Sequence, residues 1–178
     1  MTQLRNVLGV CAVALFLGAC ANELTKNINV DSQVSADVDF ATIKTYQWLA
    51  SAQILNDPNG QWEPRGFDAD AEIRFLINRE LRNRGITEVE ANPDVFVAYV
   101  AGIDMDAMDW EVDPKTKLQV LSNQPEGALA VVLLNTTNGD PVWGAIASDN
   151  VEGQQSADDA RTRLDYAVTQ MFRRLPSS

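Results

Sequence analysis

The chain contains no histidine. That absence removes Ser-His-Asp and Cys-His nucleophile systems and the ordinary zinc sites. General acid–base work would fall on Asp, Glu, Lys or Tyr. Cysteine is nearly as scarce: the two cysteines, Cys11 and Cys20, both lie in or at the end of the first apolar run. The remainder of the chain therefore has no disulfide framework, no thiolate metal site and no thiol nucleophile. Positive charge is also short. Fourteen Lys and Arg stand against 25 Asp and Glu, for a net charge of −11. So acidic a surface is repelled by phosphate backbones and by anionic head groups, which excludes nucleic acid as an expected partner.

What is present begins with an export signal. Arg5 and the amino terminus give a short positive region, and an apolar core runs from Val7 to Ala19. That length suits the roughly 7–15 residues of a signal core and falls short of the roughly 20 that span a bilayer. Two cleavage patterns overlap at its end. Ala19-Cys20-Ala21 fits the small-x-small pattern of ordinary secretory cleavage, which would leave Asn22 first. Leu17-Gly18-Ala19-Cys20 is similar to the bacterial lipobox, in which the Cys20 thiol is acylated and becomes the first residue. The leucine three positions before the cysteine, with two small residues between, favours the lipobox. Residues 1–19 are then the signal peptide, Cys20 the lipidation site, residues 20–27 a short polar tether, and residues 28–176 one domain. Acylation would also consume the last thiol of the mature chain.

Ile28, Val30 and Val34 alternate as in a half-buried strand, and Tyr46 and Trp48 share one face of a second. The stretch 51–65 holds Asn-Asp-Pro-Asn-Gly and Glu-Pro-Arg-Gly and reads as a loop. Ile73, Leu76, Ile77 and Leu81 form a helical stripe, capped by Asp68 or Asp70 and stopped by Gly85. Residues 95–101 are apolar on both faces and read as a central strand. Lys117 to Ser122 reads as a short strand, and 127–135 and 142–147 as a hairpin turned at Asn138-Gly139. A last helix opens at Ser156 with Asp159 in a capping position. Its stripe is Ala160, Leu164, Ala167, Val168, Met171, Phe172 and Leu175, and Pro176 ends it. These elements predict an α+β fold: a largely antiparallel sheet with two α-helices packed on one face. The other face is then a natural binding surface.

Few residues suggest chemistry. Asp104, Asp106, Asp109, Glu111 and Asp113 form an acidic run that resembles a calcium ligand set in composition. A calcium loop has glycine at its sixth position and glutamate at its twelfth, where Asp109 and Lys115 stand, so a solvated acidic strand end is the reading adopted. Asp104, Asp106 and Asp109 remain only weak metal candidates, and no metal or cofactor is expected. Of the four tryptophans, Trp48 and Trp143 lie in strands and read as core. Trp62 and Trp110 lie in segments read as loops and are the candidate ligand contacts. Asp94 with Tyr99, or Glu72 with Glu80, makes an acid pair on paper alone, with nothing to place it in a cleft.

Several short motifs together resemble a family. They are Asp39-Phe40 followed by Lys44-Thr45-Tyr46-Gln47-Trp48-Leu49, the helix end Arg84-Gly85, and Pro93-Asp94-Val95-Phe96-Val97-Ala98-Tyr99. Gly127-Ala128-Leu129, Pro141-Val142-Trp143-Gly144-Ala145 and Leu175-Pro176 complete the set. This pattern resembles the bacterial lipoprotein family known as domain of unknown function 4136, over residues 28–176. Such proteins tend to carry an acid where Asn135 stands here. The resemblance implies an anchored envelope lipoprotein and supplies no reaction. Lipoproteins of the enteric type tend to stay in the inner membrane when aspartate follows the lipidated cysteine. Ala21 stands there, which implies the outer membrane, periplasmic side. The expected role is non-enzymatic binding or envelope assembly, with an envelope protein as partner and the membrane engaged through lipid. A small-ligand carrier with a pocket between sheet and helices is the alternative, and a carboxylate-based hydrolase the third reading.

Overall fold

The computed structural model describes residues 23–49, 64–105, 109–112, 119–122, 126–149 and 156–177, with backbone alone described within 103–126. Cys20, Trp62, Asp106 and Asp113 lie outside these residues. The strands are β1 (Asn29–Val34), β2 (Thr45–Trp48), β3 (Thr87–Glu88), β4 (Val95–Met105), β5 (Asp109–Val112), β6 (Gln119–Ser122), β7 (Glu126–Asn135) and β8 (Pro141–Asp149). Helix α1 spans Ala69–Asn83 and α2 spans Ala157–Arg173, and a 3₁₀ turn covers Phe40–Thr42. Among the described residues no helix is long and apolar enough to cross a membrane.

Six strands form one sheet in the order β1-β8-β7-β4-β2-β3, and β5 pairs with β6 separately. β1, β8, β7 and β4 pair antiparallel, as expected. β2 runs parallel to both β4 and β3, so the sheet is mixed rather than largely antiparallel. The reason is the connection. Parallel neighbours need a long crossover, and α1 sits inside the segment that leads from β2 to β3 and β4. A helix at that position returns the chain to the end where β2 began.

Both helices cover one face of the sheet. Register places Val34, Trp143, Leu133, Val97 and Trp48 in one row across that face. The core beneath the helices joins Ile73, Leu76, Ile77 and Leu81 of α1 with Leu164, Val168, Met171 and Phe172 of α2, all buried. Trp143, 1 % exposed, packs its ring on Phe172 at 5.2 Å between centroids. Both expected caps form: Asp68 accepts from the Ala71 amide at 2.9 Å and Ser156 from the Asp159 amide at 3.1 Å. Gly85 takes φ +74°, the left-handed stop that glycine adopts without strain.

The helices run parallel to each other. Successive cross-contacts join Glu72 to Arg161, Arg79 to Asp165, Glu80 to Thr169 and Arg84 to Phe172. Their acidic first turns (Asp70 and Glu72; Asp158 and Asp159) therefore lie at one end of the layer, and their arginine-bearing last turns at the other.

Two further expectations change. The segment read as a polar tether is partly folded: residues 23–25 form a helical turn, Thr25 is 7 % exposed, and the Ile28 amide donates to the Thr25 carbonyl at 3.2 Å. Trp110 stands in strand β5, paired with Leu121, rather than in a loop. Alternation of Trp110 and Val112 with acids hid a four-residue strand inside the acidic run.

Candidate functional site

A polar and aromatic cluster lies where β2 and β4 meet α1. Tyr46, Trp48 and Tyr99 point from the sheet toward the helix, because alternate residues share a strand face. Trp48 stands between the two tyrosines, edge-on to each at 6.4 and 6.1 Å. From α1, Asp70, Arg74 and Asn78 recur every four residues and so form one polar stripe. The Asn78 Oδ1 accepts from the Tyr46 hydroxyl at 2.7 Å and from Trp48 Nε1 at 3.2 Å. The Tyr99 hydroxyl donates to Asp70, and Arg74 Nε donates to the same carboxylate at 3.2 Å. The Arg74 guanidinium lies 4.6 Å from the Trp48 ring centre, within cation–π range.

Electrostatics fix these hydroxyls in their protonated form. Burial pushes the Tyr46 hydroxyl up to about 12, with the Glu88 carboxylate adding to the effect. Burial, then the Asp70 hydrogen bond, raises Tyr99 further. At neutral pH both tyrosines are donors. All three donors are spent inside the cluster, so the arrangement ties β2 and β4 to α1.

The opposite sheet face is apolar too. Ala128, Ala130 and Ile146 form a small buried cluster there. Phe96, Ala98 and Val100 of β4 and Val132 and Leu134 of β7 flank it, half-buried. Large exposed apolar side chains elsewhere are scattered: Val34, Leu49, Phe75 and Tyr166.

The sequence-based acid pairs do not assemble. Asp94 holds the start of β2, its Oδ2 accepting from the Lys44 amide at 2.9 Å, the Thr45 amide at 2.8 Å and the Thr45 hydroxyl at 2.8 Å. The Lys44 amide first, then the Thr45 hydroxyl, holds its pKa below the ordinary 3.8. Tyr99 belongs to Asp70 instead. Glu72 meets Arg161, whereas Glu80 is clamped by Arg79 at 2.8 Å and Arg84 at 3.1 Å. Asp104 closes toward the end of β4 and Asp109 opens β5, opposite Ser122. Among the described residues no three Asp, Glu, His or Cys gather as a metal site. Asn135, where the family tends to have an acid, closes the β7–β8 turn by accepting from the Thr137 amide at 2.8 Å. The sequence reading missed the Asp70, Arg74 and Asn78 stripe. The signal available was a polar series at four-residue spacing beside the apolar stripe of α1.

The profile of the family described as Domain of unknown function (DUF4136) matches residues 30–177. The chain belongs to this family. The match begins ten residues past Cys20. No curated protein sequence matches the chain. Among solved structures, a DUF4136 family protein from Bacteroides thetaiotaomicron is similar at TM-score 0.54 and 14 % identity, covering 83 % of this chain and 95 % of that one. That likeness shows the DUF4136 fold. A PDZ domain protein from Parabacteroides distasonis aligns at TM-score 0.49 and 15 % identity over 89 % of this chain, which spans only 39 % of that protein. The PelC dodecamer from Paraburkholderia phytofirmans aligns at TM-score 0.46 and 13 % identity, over 85 % of this chain and 99 % of that one.

Proposed function

We propose that this DUF4136 protein is an envelope lipoprotein, acylated at Cys20, held on the periplasmic side of the outer membrane, and acting as a non-enzymatic binding or assembly module. The observation that carries the reading is the placement of Leu17-Gly18-Ala19-Cys20 at the end of a signal-length apolar core, directly ahead of the family domain at residues 30–177. Ala21 rather than aspartate after the cysteine supports outer-membrane sorting. The half-buried apolar strip of Phe96, Ala98, Val100, Val132 and Leu134 is the contact surface for a protein partner, with Trp62 and Trp110 as further contacts.

Two experiments test this. Cys20→Ser releases the domain from membrane fractions or blocks its maturation, and Ala21→Asp moves the protein to the inner-membrane fraction. Membrane attachment of Cys20→Ser at mature size overturns the anchor. A photo-crosslinker at Phe96 or Val132 captures one defined envelope protein, whereas one at Asn138 does not. Equal capture from both positions, or none, refutes the partner surface.

A further inference from the structure

The tether is too short to leave the domain's orientation free. Thr25 is packed into the fold and the chain enters β1 at Asn29. Only four residues lie between Cys20 and Thr25, so the five steps reach at most about 18 Å at ~3.6 Å per residue. Asn29, Ser148, Ala128 and Gly102 form one row across the sheet. The β5–β6 hairpin leaves β4 and rejoins β7 beyond that row, where Met105 pairs with Glu126. The first turn of α2 lies at the same end, since Arg163 reaches Asp149 while Phe172, further along, packs on Trp143. The β7–β8 turn closes the opposite end, seven strand residues beyond Ala128, or about 24 Å away.

We propose that the end carrying Asn29, the first turns of both helices and the root of the β5–β6 hairpin is a membrane-resting surface. Its partner is the zwitterionic leaflet that holds the Cys20 lipid. This rests on the Cys20 reading above. The chemistry selects the leaflet: Asp68, Asp70, Glu72, Asp158 and Asp159 outnumber Arg74 and Arg161, their ion-pair partners at this end, so anionic head groups repel it while zwitterionic ones do not. The β7–β8 turn and the last helical turns then face the periplasm, and the half-buried strip of Phe96, Ala98, Val100, Val132 and Leu134 stands side-on beside the anchor.

The test uses the full lipidated protein in phosphatidylcholine vesicles carrying nitroxide-labelled head groups. With Cys20 acylated and Cys11 removed, one new cysteine takes one fluorophore. Asp158→Cys, whose native side chain is 93 % exposed, reports the resting end, and Asn138→Cys, in the exposed β7–β8 turn, the far end. A ~24 Å difference in height makes quenching at 158 at least about twofold stronger than at 138. Inserting about ten Gly/Ser residues between Ala21 and Asn22 removes the difference, because the added reach of roughly 33 Å frees the domain to rotate. Vesicles made partly of anionic lipid weaken quenching at 158 at low salt. Equal or reversed quenching in protein that floats with the vesicles overturns the orientation while leaving the anchor intact. Failure to float overturns the anchor itself. Stronger quenching at 158 on anionic vesicles overturns the choice of leaflet.

Discussion

Glu80 supports the sharpest stability prediction. Its side chain is 10 % exposed and receives Arg79 Nε at 3.2 Å, Arg79 Nη2 at 2.8 Å and Arg84 Nη1 at 3.1 Å. Arg79 also reaches Asp165 at 2.5 Å and Thr169 at 2.9 Å, and Arg84 reaches the Phe172 carbonyl at 2.5 Å. Glu80 thus orients the two arginines that tie α1 to α2. Removing one member of a fully buried pair costs about 3–5 kcal/mol. Here Arg79 and Arg84 are 31 % and 22 % exposed, so water screens part of the interaction. Glu80→Gln keeps the volume and removes the charge, and should cost about 2 kcal/mol. At about 2–4 °C per kcal/mol for a domain of this size, Tm falls by roughly 4–8 °C. The assay is urea unfolding followed by tryptophan fluorescence, with Trp143 as a buried reporter beside Phe172. Asp158→Asn is the control, because its pair with Arg161 is exposed at 93 % and 49 % and contributes only about 0–1 kcal/mol. If Glu80→Gln falls within the control's range, the clamp does not hold the helices together.

The Asp94 carboxylate is held below its ordinary 3.8, so the unfolded chain binds the proton more readily. Its stabilisation is fully present above that value and is lost as pH falls through the lower folded-state pKa. Asp94→Asn should therefore flatten the acid limb of a stability–pH curve below pH ~4, which acid unfolding of the two proteins compares. Asn78→Ala strands two donors, the Tyr46 hydroxyl and Trp48 Nε1, and should lower stability by about 2 kcal/mol in the same urea assay. A Cβ at Gly85 meets open space, so Gly85→Ala should cost only the left-handed backbone penalty of about 1–2 kcal/mol. Gly85→Asn should cost less than Gly85→Ala, and a reversed order in thermal melts would contradict the backbone explanation.

Periodicity made the helices and the central strands legible. Ile73, Leu76, Ile77 and Leu81 are all buried, and Val97 and Phe96 do face opposite sides of β4. What alternation cannot carry is strand direction. Tyr46 and Trp48 share a face whether β2 runs parallel or antiparallel to β4. Direction is set by α1 and by the Asp94 bonds to Lys44 and Thr45 that begin the Tyr46–Val95 register. The aromatic cluster is half legible: alternation puts Tyr46 and Trp48 on one face, but Asp70 reads only as a candidate helix cap and Asn78 carries no signal of its own. Thr25 gave no signal, because one small polar residue becomes buried only through what folds over it.

Parallel packing of α1 and α2 sets like dipole ends side by side, which is unfavourable unless each end is compensated. At the first turns, Asp70, Glu72, Asp158 and Asp159 provide the negative charge. At the last turns the compensation is shared between helices. Arg84, the C-cap of α1, donates to the Glu80 carbonyl at 3.0 Å in its own helix and to the Phe172 carbonyl of α2, with its guanidinium 5.5 Å from the Phe172 ring centre. One cation therefore serves the negative ends of two dipoles. Gly85 makes that placement possible, because turning the backbone immediately after Arg84 ends α1 level with the last turn of α2. The Arg84-Gly85 pair, legible in the sequence only as a helix stop, is also the joint that lets two parallel helices share one sheet face.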